Sequence, residues 1–174
     1  MVRVILFSFI LFSISTQILS QDTTYISEEI IKWQNSMEYS LEVVETMPEE
    51  FYDFSPTKDE MTFGQQLQHM AKNMTWLASL YLTEGLRMDE AEKFTKALDP
   101  KAIKALIKES YEFSLSVLQN VTPFILSSEK KFFAGPMTGR QIINLMHDHA
   151  THHRGQLVVY LRMKDLKPPR YRGW

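Results

Sequence analysis

The chain has no cysteine. That excludes disulfides, thiolate metal sites, cysteine nucleophiles and a lipid-modified cysteine anchor. Any metal must therefore be held by nitrogen or oxygen donors. Glycine and proline are scarce, at 6 and 7 in 174 residues, so neither a collagen-like repeat nor a low-complexity tail is present. Charge of one sign is also lacking: the formal net charge is −2. No basic field exists to attract nucleic acid, and the short basic stretch from Lys164 to Arg172 reads as a solvated tail. Alternating strand patterns are missing too. What remains, 44% hydrophobic and 23% charged residues, suits one globular domain with a proper core.

The first twenty residues have a different character. Arg3 is the only charge before Asp22, Val4 to Phe12 is apolar except for Ser8, and small or polar residues follow up to Ser20. A positive start, an apolar middle and a small-residue exit make a signal peptide. Cleavage is expected after Ser20, leaving 21–174 as the mature domain, secreted or periplasmic. The uncharged stretch is at the short limit for a membrane span and its second half is polar, so no stable anchor is expected.

Four helical segments follow. The first is expected from about Ser27, as N-cap, to Glu45, with Ile30, Trp33, Met37, Leu41 and Val44 on one face. The second opens at the capping box Thr62-x-x-Gln65 and carries Phe63, Leu67, Met70, Met74, Leu77 and Tyr81 to about Glu84. The third opens at Asp99-Pro100 and runs to about Leu118. The fourth opens at a second capping box, Thr138-x-x-Gln141, and runs to about Lys164, before Pro168-Pro169. Leu86 to Leu98 reads equally as loop or short helix. The fold class is all-α, a four-helix bundle, and the long connection between the second and third helices permits a crossover. Trp33, Trp76 and the ten methionines read as core.

Four of the five histidines lie in His147-Asp148-His149-Ala150-Thr151-His152-His153. With His149 at 0° and about 100° per residue, His153 falls near 40°, His152 near −60° and His147 nearly opposite, towards solvent. The core positions Ile142, Met146, Leu157 and Tyr160 fall at about 20–80° on the same wheel. His149 and His153 thus replace apolar residues in consecutive turns of a core stripe. Two imidazoles at i and i+4 can share one metal ion; hydrogen-bonded core histidines are the alternative. His69, in the middle of the second helix, is on the flank of that helix's stripe, beside Asn73 and Trp76, where it could face a neighbour.

The string His149-Ala150-Thr151-His152-His153-Arg154-Gly155-Gln156-Leu157, together with Leu67-Gln68-His69-Met70 and the ending Tyr160-Leu161-Arg162 … Lys167-Pro168-Pro169-Arg170-Tyr171, resembles the DinB-like superfamily, the damage-inducible, YfiT-related group of four-helix proteins. The resemblance implies an up-down-down-up bundle, a divalent metal ion, typically zinc or nickel, held by His69, His149 and His153, and frequent homodimers. His152 is the substitute ligand, as an i, i+3 partner of His149. Related branches are metal-dependent hydrolases and thiol transferases acting on small molecules; a non-catalytic metal-binding or stress-response module is the alternative. Despite the family name, a chain with no basic face and an export signal is not expected to act on nucleic acid.

Around the site, Arg154 is expected to pair with a carboxylate on a neighbouring helix, with binding of an anionic substrate as the alternative. Gly155 is expected to allow close helix approach. Gln156 and Asn73 are candidates for orienting ligand imidazoles, Asp148 is expected in solvent, and no carboxylate is placed as a general base.

Overall fold

A computed structural model describes residues 2–84 and 98–174, with side chains described in 23–84 and 98–174. The elements are α1 (Val2–Thr46), a 3-10 turn (Glu49–Phe51), α2 (Phe63–Tyr81), α3 (Pro100–Asn120), α4 (Pro123–Ser127), β1 (Glu129–Lys130), β2 (Met137–Thr138) and α5 (Gly139–Met163). Apart from Leu98, the segment left open between loop and short helix lies outside the described residues. Among the described residues no helix is long and apolar enough to cross a membrane.

The local start signals act as their chemistry requires. Thr62 accepts from the Gln65 backbone at 3.2 Å while Gln65 Oε1 accepts from the Thr62 backbone at 2.9 Å. Thr138 and Gln141 repeat this pair at the head of α5. Asp99 accepts from the Ala102 backbone, with Pro100 at the first helical position. Ser27 is different. No glycine or proline interrupts the chain between Val2 and Thr46, so the helix runs straight through it. Ser27 Oγ donates back to the Thr24 carbonyl at 2.7 Å instead of capping a helix start.

Contacts along the helices fix their directions. Trp33 and Glu45 on α1 meet Tyr111 and Lys104 on α3, so this pair is antiparallel. Gln66 and His69 on α2 meet His153 and His149 on α5, also antiparallel. Gly64 lies against Ile103, and Met74 O accepts from Ser114, so α2 and α3 are parallel neighbours. Tyr25, Glu29 and Ser36 meet Arg140, His147 and Arg154, so α1 and α5 are parallel as well. The result is an up-down-down-up bundle. Parallel neighbours cannot be joined by a tight turn, and the long connection between Tyr81 and Pro100 is what such a pair requires.

The core comprises Trp33, Val43 and Val44 of α1, Phe63, Leu67, Met70, Met74 and Leu77 of α2, Ile107, Tyr111 and Leu118 of α3, and Ile142, Met146, Leu157 and Leu161 of α5. Trp76 is not core: it is 37% exposed, packs edgewise on Tyr81 and lies tilted against Phe132. Met61 and Met163 are also exposed. These positions fall beyond the arc that neighbouring helices cover.

Where no strand was expected, two two-residue strands pair antiparallel, Glu129 opposite Thr138 and Lys130 opposite Met137. The loop between them contains Gly135 at φ +117°, a conformation glycine adopts without steric penalty. This hairpin delivers the chain to Gly139, whose missing Cβ would lie 2.3 Å from the Ile125 carbonyl. The head of α5 can seat against α4 only because residue 139 has no side chain.

Candidate metal centre

His69 enters from α2, and His149 and His153 from successive turns of α5. The antiparallel packing of these two helices brings all three together. Their nearest nitrogens lie within 4.8 Å of one another, and His69 Nε2 and His149 Nε2 are 3.0 Å apart. Ring centroids are 4.5–4.9 Å apart across the three pairs. Two nitrogens on one tetrahedral ion at about 2.0–2.1 Å would stand about 3.3 Å apart, so the trio is already close to the span a first-row divalent ion demands. Among the described residues no other group of three His, Asp or Glu side chains converges in this way.

The environment favours the neutral, ligating form. Burial, followed by the charges of His153, His69 and His152, pushes His149 down to about 4. Burial and then His69 push His153 down to about 4 as well, against a hydrogen bond that His153 donates to Gln156, which works the other way. Burial, then Lys72 and His152, lowers His69. Three uncharged imidazoles therefore face one point at neutral pH.

His153 is also oriented from behind. Its Nδ1 faces Gln66 Oε1 in a short contact and Gln156 Oε1 at 2.9 Å. Both are acceptors, so Nδ1 carries the proton and donates, which leaves the Nε2 lone pair for the shared point. Gln66 Nε2 donates to Tyr160 Oη at 3.4 Å, and Tyr160 Oη donates to the Met61 carbonyl at 2.9 Å. A fully buried glutamine is thereby held in one orientation by the opposite helix. Gln156 fills the orienting role expected of it; Gln66 was not foreseen. Its signal was in the sequence: Gln66 is three residues after Phe63 and four before Met70, a polar residue inside an apolar stripe.

The remaining residues divide. His152 lies beside His153 at 4.9 Å between centroids but outside the converging trio. Asp148 is exposed, as expected. His147 is not in solvent. It is 4% exposed, with Nε2 2.7 Å from Glu29 Oε2 and its ring edgewise to Trp33. Burial works to raise the Glu29 carboxyl, but the hydrogen bond and charge of His147, with Lys32, outweigh it and hold Glu29 below its usual range. A wheel drawn for one stripe missed this because α5 packs against two helices at once. His149 and His153 face α2, whereas His147 and Arg154 face α1.

Arg154, by contrast, finds no carboxylate among the described residues. Nη1 donates to Ser36 Oγ at 2.7 Å and to Ser40 Oγ at 3.3 Å, Nη2 donates to Thr151 Oγ1 at 3.2 Å, and the guanidinium lies over Tyr39. Gly155 permits no close helix approach: a Cβ there would meet nothing within 4 Å. Asn73 orients no imidazole. Its Oδ1 is buried without a hydrogen-bond partner, and the residue lines a small open cavity of about 170 Å³ with His69, Lys72 and Trp76.

A family model described as the DinB family matches residues 20–171. The chain belongs to the DinB family. This DinB-family chain is similar to an uncharacterized protein of Bacillus subtilis, YjoA, at 25% identity over 126 residues, covering 70% of this chain and 79% of YjoA. The crystal structure of that DinB-like protein superposes with a TM-score of 0.69 at 19% identity, covering 84% of this chain and 97% of its own. A DinB-like protein from Bacillus cereus superposes with a TM-score of 0.67 at 20% identity, covering 82% and 95%. These two structures establish the bundle as the shared fold.

Proposed function

We propose that this protein is a metal-dependent enzyme of the hydrolase or transferase type, with His69, His149 and His153 as the ligands of one divalent ion, zinc or nickel. One observation carries the reading: three imidazoles kept neutral by burial converge beside an open cavity rather than inside a closed core. Three protein ligands leave a coordination position for water or substrate, where a fourth would close the site. Bound there, the ion supplies Lewis acidity and lowers the pKa of a water or thiol beside it.

The chain's own residues do the rest. Gln66 and Gln156 fix the tautomer of His153. Trp76 offers an aromatic wall, Lys72 a cation, and Asn73 Oδ1 a buried acceptor for a donor on the substrate. Among the described residues no carboxylate lines this cavity. We place the mature protein outside the cytoplasm, after removal of residues 1–20, on the positive-apolar-small order of that segment.

The test is elemental analysis of protein expressed without residues 1–20 and without a polyhistidine tag, alongside His149→Ala and His153→Ala. About one metal per chain, lost in both variants, is the expected result. The loaded and chelated proteins are then screened against ester, amide and thiol-transfer substrates. A native protein that neither carries nor takes up metal refutes the reading; metal bound with no turnover across the screen refutes catalysis and leaves a metal-binding module.

A further inference from the structure

A second cavity, of about 380 Å³, lies on the other side of α5, between that helix and the C-terminal segment. Its walls are Tyr39, Val158, Pro168, Pro169 and Tyr171, with Arg154 at its inner end and Arg162 at its rim. The outer wall is fastened in place. Arg172 pairs with Glu38 and, at 2.6 Å, with Glu42; Asn35 donates to the Trp174 carbonyl at 2.7 Å; Tyr171 packs edgewise on Tyr39.

Two features of this cavity have no explanation among the described residues. The first is charge. Arg154 is 4% exposed, and a guanidinium stays charged under all working conditions. Burying a charge without a countercharge is costly. The partners of Arg154 are serine and threonine hydroxyls, a carbonyl and the face of Tyr39, all neutral. Glu38 and Glu42, the acids of α1 on this side, are both engaged by Arg172. While Nη1 turns to the α1 serines, Nη2 turns to Thr151, itself part of the cavity wall.

The second feature is space. Gly155 sits in the interior of α5 and lines the same cavity. Glycine there weakens the helix relative to alanine. Its φ is not positive, and a Cβ would meet nothing within 4 Å. Neither backbone conformation nor packing requires glycine, and its exposed position leaves open room on this side of α5.

We propose that this cavity binds a small organic carboxylate, its carboxylate group on Arg154 and its apolar body between Gly155, Val158, Tyr39 and the Pro168-Pro169 wall. A guanidinium fork suits a carboxylate geometrically, the walls are apolar, and the volume falls in the range of about 300–1,000 Å³ usual for small-molecule sites. Gly155 is about 200° around α5 from His153, so this site is separate from the three histidines.

The probe is octanoate, titrated into the metal-loaded, 15N-labelled protein, with 1-octanol as its uncharged twin and inorganic phosphate as a bare anion. Octanoate is expected to shift the backbone amides of Tyr39, Thr151 and Gly155, and to bind about tenfold or more tightly than either control, the worth of one charge-assisted contact in an apolar setting. Gly155→Leu is expected to abolish those shifts without lowering the melting temperature, since leucine is the better helix former. Arg154→Lys is expected to weaken octanoate and leave octanol unchanged.

Octanoate binding that survives Gly155→Leu refutes the placement, because a carboxylate captured by the metal would behave that way. Equal binding of octanoate and octanol refutes the role of Arg154. If protein concentration rather than octanoate moves these amides, the cavity is a contact between two copies of the chain and the proposal falls.

Discussion

Replacing Gln66 by leucine tests whether the back of His153 controls the front. Gln66 is 1% exposed, and its Oε1 faces His153 Nδ1 while its Nε2 is tied to Tyr160. Leucine of similar size keeps the packing and removes the acceptor. Partners of this kind are worth about 10- to 100-fold in metal affinity, or about 1.4–2.7 kcal/mol. The structure places the single variant at the lower end of that range, because Gln156 Oε1 remains 2.9 Å from the same nitrogen and can take the proton's bond. Gln66→Leu with Gln156→Leu leaves no acceptor and moves the loss to the upper end, by more than the product of the two single losses. Competition for zinc against a chromophoric chelator near neutral pH measures the affinity; thermal melts of the metal-free proteins show whether the fold is kept. If the double variant binds zinc as tightly as the native protein, the side-chain amides do not orient the ligand and the reasoning fails.

Three further outcomes follow from the same contacts. Removing His147 alone, as His147→Leu, strands the Glu29 carboxylate, which is 12% exposed, and is expected to cost about 3–5 kcal/mol in urea denaturation, whereas His147→Leu with Glu29→Leu restores most of it; a double variant as unstable as the single one would contradict this. Gly139→Ala is expected to lose about 1–3 kcal/mol, since its Cβ would meet the Ile125 and Leu126 backbone at 2.3–3.0 Å, and an unchanged melting temperature would show that α4 can move aside. The metal-free protein is expected to lose stability as pH falls. His149 and His153 are held at about 4 when folded but titrate near 6.5 unfolded, so the unfolded chain takes up more protons between these values. Stability is then full above about pH 6.5 and declines towards pH 4; a denaturation midpoint flat across that window refutes the assignment of neutral imidazoles.

Most of the secondary structure was legible because its causes are local. The capping boxes at Thr62 and Thr138, the Asp99-Pro100 start and the three- and four-residue spacing of apolar side chains each act within one or two turns, and each appears where the sequence puts it. The same locality explains the miss at Ser27, where a good capping residue has no break before it, and the short hairpin at 129–138, too brief to carry a periodic pattern.

The i, i+4 spacing alone put His149 and His153 on one face of α5, because rotation per residue is a property of the helix itself. Which neighbour that face meets, and whether a second face is also covered, depends on contacts between residues eighty or more positions apart. The wheel therefore gave the angle of His147, Arg154, Gly155 and Trp76 and misjudged the surroundings of each. Only the packing of α5 between α2 and α1 decided that one side of the helix gathers three neutral imidazoles, another encloses the Glu29–His147 pair, and a third leaves open space beside a buried guanidinium. The angle of a side chain around its helix is a local property; its environment is set by the other helices.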